Sequence, residues 1–182
     1  MPDTGFPYSA NSDAQVLILG SMPGRKSLAA KEYYAHPKNA FWPIMAELFG
    51  FNAGLAYDAR MALLRENGIA LWDVAHQCVR PGSMDHAIEI GSVIANDFAS
   101  FFNTHTQIQA IFFNGIKAGE LFHRLVLDEL PPWVQQIDRQ ALPSTSPAHA
   151  TMKFSDKCVV WRKIKQALEN ESTSPYLSSH PT

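Results

Sequence analysis

The sequence predicts an α/β fold built on a mainly parallel sheet, and three observations predict it. Short apolar runs alternate with longer amphipathic ones, the first three short runs are apolar almost without interruption, and a loop of small and polar residues follows each. Alternation of this kind belongs to βα units, whose parallel strands are covered on both faces.

The first expected strand, "QVLIL" at 15–19, delivers the chain to "GSMPGRKS". A helix is expected near Asn39, because asparagine is a preferred cap and Pro43 is tolerated only in a first turn. A second begins near Tyr57 and ends at Gly68, where a C-terminal glycine belongs, just before the strand "IALWDV" at 69–74. A helix near Asn96 precedes the strand "QAIFFN" at 109–114. The helix after Asn114 then carries Ala118, Leu121, Phe122 and Leu125 at core-facing spacing. The fourth strand is "RQALP" at 139–143, and the last helix starts near Ser155.

Composition bounds the rest. At 182 residues, 46% apolar and 18% charged, the chain suits one domain over residues 1–170. The polar, Pro- and Ser-rich "ESTSPYLSSHPT" at 171–182 reads as a mobile tail. Fifteen Lys and Arg against seventeen Asp and Glu give a net charge of −2, so any basic face must be local. Cys78 and Cys158 lack the spacing of a zinc site or a disulfide framework. Without an apolar leader or a run of 18 apolar residues, the expectation is a soluble cytoplasmic protein with no membrane partner.

In an open parallel sheet, ligands bind beyond the carboxyl ends of the strands, so "GSMPGRKS", "AHQCVRPGS", "NGIKAGE" and "PSTSPAHA" should share one rim. Each Gly and Pro also has a reading as turn geometry. The first loop lacks the G-x-x-x-x-G-K-[ST] of a phosphate loop and the G-x-G-x-x-G of a dinucleotide site. Ser144, Ser146 and His149 leave a small-molecule hydrolase open, although no G-x-S-x-G elbow presents a serine.

Five segments in order, "LILGSMPG", "YYAHPKNAFW", "GIALWDVAHQCVRPGSMD", "IFFNGIKAGELF" and "LPSTSPAHA", resemble the loops of the uracil-DNA glycosylase superfamily. They are most similar to its hypoxanthine (deoxyinosine) branch, and the likeness extends to the mismatch-specific uracil and thymine enzymes. The resemblance spans about residues 16–165 and implies a three-layer α/β/α sandwich around a central four-stranded, mainly parallel sheet. It also implies a monofunctional DNA glycosylase that removes hypoxanthine, and uracil as a second base, in base excision repair. No cofactor or metal is needed, and the partner is DNA containing deaminated bases, bound by a monomer. Two departures leave a DNA-binding module without catalysis as an alternative. Met22 stands where the mismatch-specific enzymes place a water-positioning Asn, and Ser144 where the commonest uracil enzymes place a His. A thioether accepts hydrogen bonds only weakly. No lysine occupies a Schiff-base position.

Base removal requires a flipped base, donors for the charge that develops on it, and a positioned water behind the sugar. The resemblance assigns catalysis to Asn39, whose amide offers a donor and an acceptor and which can also cap its helix. The base pocket and motif loops are expected to comprise Gly20, Ser21, Met22, Pro23, Gly24, Tyr34, His36, Phe41, Asp73 and Asn114. Tyr33 and Trp42 are further aromatics, and Phe41 and Trp42 read equally as core. Asp73 could end its strand in a capped turn, and Asn114 could cap the helix that follows it. DNA contacts are expected from Ser144, Thr145, Ser146, Pro147, His149, Met152, Lys153 and Lys157, with Met152 or a neighbour as the wedge. Lys153, Lys157, Arg162, Lys163 and Lys165 form the only local basic concentration, which also fits a solvated helix face.

Overall fold

The computed structural model describes residues 1–170, and the expected tail at 171–182 lies outside the described residues. In chain order the elements begin with β1 (Asp3–Thr4), β2 (Val16–Gly20), α1 (Arg25–Ala30), α2 (Phe41–Phe49) and α3 (Tyr57–Glu66). β3 (Ile69–Asp73), β4 (Ala75–Cys78), β5 (Ile94–Ala95) and α4 (Phe98–Thr104) follow. The chain continues through β6 (Ala110–Asn114), α5 (Ile116–Leu125), α6 (Pro132–Gln135), β7 (Asp138–Leu142) and α7 (Phe154–Glu169).

The central sheet has the order β3-β2-β6-β7, parallel throughout, and its strands are the four expected from the sequence. Every residue of β2, β3 and β6 is buried, which accounts for their unbroken apolar runs. Successive side chains point to opposite faces. Leu17, Leu19, Ala70, Trp72, Ile111 and Phe113 join Phe98, Phe101, Phe102, Leu121 and Phe122 of α4 and α5 on one side. Val16, Ile18, Ile69, Leu71 and Phe112 join α2, α3 and α7 on the other, with Trp161 fully buried among them. Two cores on one sheet make the three-layer α/β/α sandwich.

A second, antiparallel sheet, β1-β4-β5, was not expected, and it converts the start of "AHQCVRPGS" from loop to strand. Strands of two residues leave no periodicity to read. The N-terminal segment also covers the free edge of β3, where Ser9 bridges Leu71 and Trp72 Nε1 donates to the Phe6 carbonyl.

Two expected caps, Asn39 and Asn114, are corrected, and the helix expected near Asn96 gains its cap; the cap of α2 is Ala40, with Asn39 one residue before it. The cap of α5 is Gly115, at φ 93°, rather than Asn114, whose side chain has turned to the last loop. The cap of α4 is Asp97, whose carboxylate accepts from Ser100 N at 3.0 Å, while Asn96 Nδ2 donates to the Asp73 carbonyl.

Candidate active site

The parallel strands end level with one another. Gly20 lies opposite Asp73, and Asn114 opposite Leu142. Beyond these ends opens a cavity of about 970 Å³. It is lined by residues 20–24, Tyr34, His36, Asn39, Asp73, Asn114, residues 144–147, His149 and Met152, so every motif segment reaches it. Phe41 stands one layer behind, stacked on Tyr34 with ring centroids 4.0 Å apart. Lys153 and Lys157 lie outside the lining.

The first loop is held from beneath. Arg80 is 5% exposed and donates to the Pro23 carbonyl at 2.7 Å and to Asp3 Oδ2 at 3.1 Å. Ser21 Oγ donates to Asp85 Oδ1 at 2.6 Å. Met22 is packed into the apolar core with its thioether facing Gly5, so no polar group replaces the amide that the wider pattern places there.

The last loop is joined to the other motifs by backbone and amide bonds. Asn114 Nδ2 donates to Thr145 Oγ1 and Thr145 N donates back to Asn114 Oδ1, both at 2.9 Å. The Thr145 carbonyl then accepts from Ala40 N at 3.0 Å, at the start of α2. Gly115 permits this approach, since a Cβ there would meet Ser144 Cβ at 3.3 Å. The position of Asn39 therefore depends on a chain of bonds running back to β6. Asn39 Oδ1 accepts from Phe41 N at 2.9 Å, which closes an Asx turn and fixes the side chain. Among the described residues its Nδ2 has no hydrogen-bond partner, and Asn39 lines the cavity.

Asp73 and Tyr34 occupy the floor. Asp73 is 4% exposed and among the described residues its buried Oδ2 has no hydrogen-bond partner, while the buried Tyr34 hydroxyl lies beside the Asn114 amide. Burial and the neighbouring Asp85 push the Asp73 carboxyl up to about 7, against the pull of Arg80. Burial, reinforced by Asp73, likewise raises the Tyr34 phenol far above its ordinary value, so it stays a donor. Both groups crowd Gly20, where a Cβ would overlap Asp73 Oδ1 and sit 3.3 Å from the phenol oxygen.

The chain matches the family model of the uracil DNA glycosylase superfamily over residues 6–169. This protein belongs to the uracil DNA glycosylase superfamily. A protein from Methanosarcina acetivorans named hypoxanthine DNA glycosylase is 38% identical over 64% of this chain and 73% of its own length. Its namesake from Methanosarcina barkeri is 34% identical over 66% of this chain and 75% of its own. A solution NMR structure of a Methanosarcina acetivorans protein, described as a candidate uracil DNA glycosylase, superposes with a TM-score of 0.73. It is 32% identical, and the match covers 91% of this chain and 99% of that one.

Against this superfamily background, the expected DNA contacts divide. Lys157 is 5% exposed and its ammonium donates to the Ser144 and His149 carbonyls, each at 2.8 Å. That corrects its expected role as an exposed phosphate contact, because its protons point into the loop. Lys153 is exposed at the start of α7, and Met152 is half-buried at the cavity edge. His36 Nδ1 accepts from Lys38 N at 3.1 Å, and His149 is exposed. Ser144 Oγ and Ser146 Oγ accept from Ser146 N and Ala148 N in successive tight turns. Among the described residues neither serine hydroxyl bonds to a histidine, and superfamily membership overturns the unrelated-hydrolase alternative.

Sequence reasoning missed Arg25 and Lys26, exposed cations at the start of α1 that line the cavity, Asp85, which also lines it, and Arg80 behind it. The pair "RK" directly after "GSMPG" was the available signal for the first two. Nothing local announces that Arg80 reaches Pro23. Among the described residues no cluster of His, Cys, Asp or Glu could hold a metal ion, and no helix is long and apolar enough to cross a membrane.

Proposed function

We propose that this chain is a monofunctional DNA glycosylase that hydrolyses the N-glycosidic bond of deaminated bases, hypoxanthine first and uracil second. Residues 1–170 serve as a single catalytic domain, and one copy suffices to bind the damaged DNA. The observation that carries the reading is the free Asn39 amide at the wall of a cavity deep enough to take a flipped base. The names of the two Methanosarcina relatives support the choice of hypoxanthine.

The base rotates out of the stack into the cavity. As the bond to the sugar C1′ lengthens, negative charge grows on the base and oxocarbenium character on the sugar. Asn39 orients the water that attacks C1′. The hydroxyl of that water joins C1′, its proton is released, and the base departs with the bonding electron pair and is protonated. Backbone N–H groups of the small-residue loops hold the flanking phosphates. The products are a free base and an intact strand with an abasic site, so breaks appear only after alkali is added.

Asn39→Ser tests this. A serine hydroxyl closes the same turn to Phe41 N, so folding should be preserved. It has no amide donor at that reach, and single-turnover excision of deoxyinosine with enzyme in excess should slow by roughly 100-fold or more. Wild-type excision by a folded Asn39→Ser protein would reduce Asn39 to a turn former.

A further inference from the structure

Beside the active-site cavity lies a second hollow of about 680 Å³, a groove between the N-terminal segment and helices α1 and α3. Its walls include Tyr8, Ser9, Leu28, Lys31, Met61 and Arg65. Tyr33, 4% exposed, lines both hollows and forms the partition between them. It is fixed from two sides, since its hydroxyl donates to the Pro7 carbonyl and its backbone N–H to the Tyr57 hydroxyl, each at 3.0 Å. Helix α1 spans the same partition, with Arg25 and Lys26 lining the cavity and Leu28 and Lys31 lining the groove. A series of cations therefore leads from the cavity, round α1, to the segment that covers the edge of β3.

The fold alone does not account for the cations of the groove. Lys31 ends α1 at φ 56°, in the left-handed region, with its N–H donating to the Ser27 carbonyl. Glycine closes a helix in this way without a steric penalty, so the helix end gives no reason for a lysine. Arg65 Nη1 donates to Ser9 Oγ at 3.0 Å and so borders the N-terminal segment. Among the described residues neither cation is paired with an acid, and the one acid in the lining, Asp58, stands in the first turn of α3, where a carboxylate favours the helix dipole. Two tyrosines join the cations. Tyr8 is held against Trp72 and Phe101 and still leaves 41% of its surface open, and Tyr57 is half-buried.

We propose that this groove holds single-stranded DNA next to the flipped nucleotide, its phosphates on Lys31 and Arg65 and its bases stacked against Tyr8 and Tyr57. Cations that follow a backbone, interleaved with aromatic rings, hold unpaired strands without reading sequence, because every base has a face to stack. A duplex offers no such face, since its bases are stacked on one another. The proposal rests on the glycosylase reading, because continuity with the cavity that takes the flipped base identifies the strand as DNA. It adds a preference: damage beside an unpaired segment is bound more tightly than damage within continuous duplex.

The test uses the whole protein and duplexes carrying a tetrahydrofuran abasic analogue a few base pairs from one end. The strand with the analogue is left blunt, or extended at its 5′ or its 3′ end by about eight thymidine nucleotides, within the span of one single-strand site. Fluorescence anisotropy should show binding at least about fivefold tighter for one of the two tails only, because the groove leaves the cavity in one direction and a single stacked base contributes that much. Lys31→Gly suits the left-handed position and should fold at least as stably, Arg65→Gln keeps a donor for Ser9, and Tyr8→Leu keeps the apolar packing. Each should reduce the gain from the tail, and the triple variant should abolish it while blunt-duplex binding is unchanged. In the tailed complex, Lys31→Gly and Arg65→Gln should each lower the salt slope by about 0.7, the value for one phosphate contact on a single strand. No gain from either tail, an equal gain from both, or a gain that survives the triple variant overturns the proposal. Should the triple variant not fold, an undiminished gain and salt slope in Lys31→Gly overturn it as well. Excision of deoxyinosine from the blunt duplex by the wild type, measured alongside, separates the two readings. Excision without a one-sided tail effect removes the groove and keeps the glycosylase, and a one-sided effect without excision does the reverse.

Discussion

The loops after β2 and β7 face each other across the cavity, and each is tied down by a buried cation, but the two ties differ. Arg80 holds the first loop through the Pro23 carbonyl and is neutralised by Asp3. Lys157 holds the last loop through the carbonyls of Ser144 and His149, and among the described residues no acid pairs with it. A planar guanidinium can bind a carbonyl and a carboxylate in one fixed geometry, whereas an ammonium is a compact point charge that gathers neighbouring carbonyls. The first loop is thus a rigid floor, sealed by core packing of Met22. The last loop is a run of turns gathered on one ammonium group beside the rim. Beside each tie stand exposed cations, Arg25 and Lys26 on one side and Lys153 on the other. Proximity to a polyanion's site therefore does not make a cation a phosphate contact; the direction of its protons decides.

Substitution at the arginine breaks the comparison most severely. Arg80→Met strands Asp3 and the Pro23 carbonyl and should cost about 3 kcal/mol or more. The denaturation midpoint should fall and deoxyinosine excision with it. A change under about 1 kcal/mol would mean that the first loop holds its shape unaided.

Lys157→Met should cost less, about 2 kcal/mol, because two carbonyls lose a charged donor but no carboxylate is stranded. The larger effect should be local, seen as faster amide exchange at residues 144–149 while the β2 loop is unchanged. Equal exchange in both loops would show that the two ties act as one.

The smallest effect separates tie from contact. Lys26→Ala and Lys153→Ala should each leave stability unchanged and flatten the salt dependence of DNA binding by up to about one slope unit. Lys157→Met should leave that slope in place. A lower slope in Lys157→Met alone would return Lys157 to the DNA-binding set.

The four strands were legible because three of them are buried on both faces and their composition says so. The cavity lining was legible because, in a parallel sheet, strand ends share an edge, so motif residues far apart in the chain must meet there. Asn39 could be read both as a cap and as a working amide; the structure makes Ala40 the cap of α2 and closes the Asn39 side chain on Phe41 N in the turn just before it, a distinction of one residue that cap preferences cannot resolve. The second sheet, the inward turn of Lys157 and the reach of Arg80 to Pro23 were not legible. Each depends on contacts between distant segments that leave no periodicity or spacing in the chain.

The sequence by itself determined the fold class, the strand positions and which loops would converge, because burial pattern and parallel topology are set by the order of apolar and polar residues. Only the tertiary structure decided the chemical state of what converged. Whether an aspartate is ionised, an amide free or a lysine's protons available depends on the dielectric and the partners around each group, and those are assembled from elements as distant as Asp3 and Arg80.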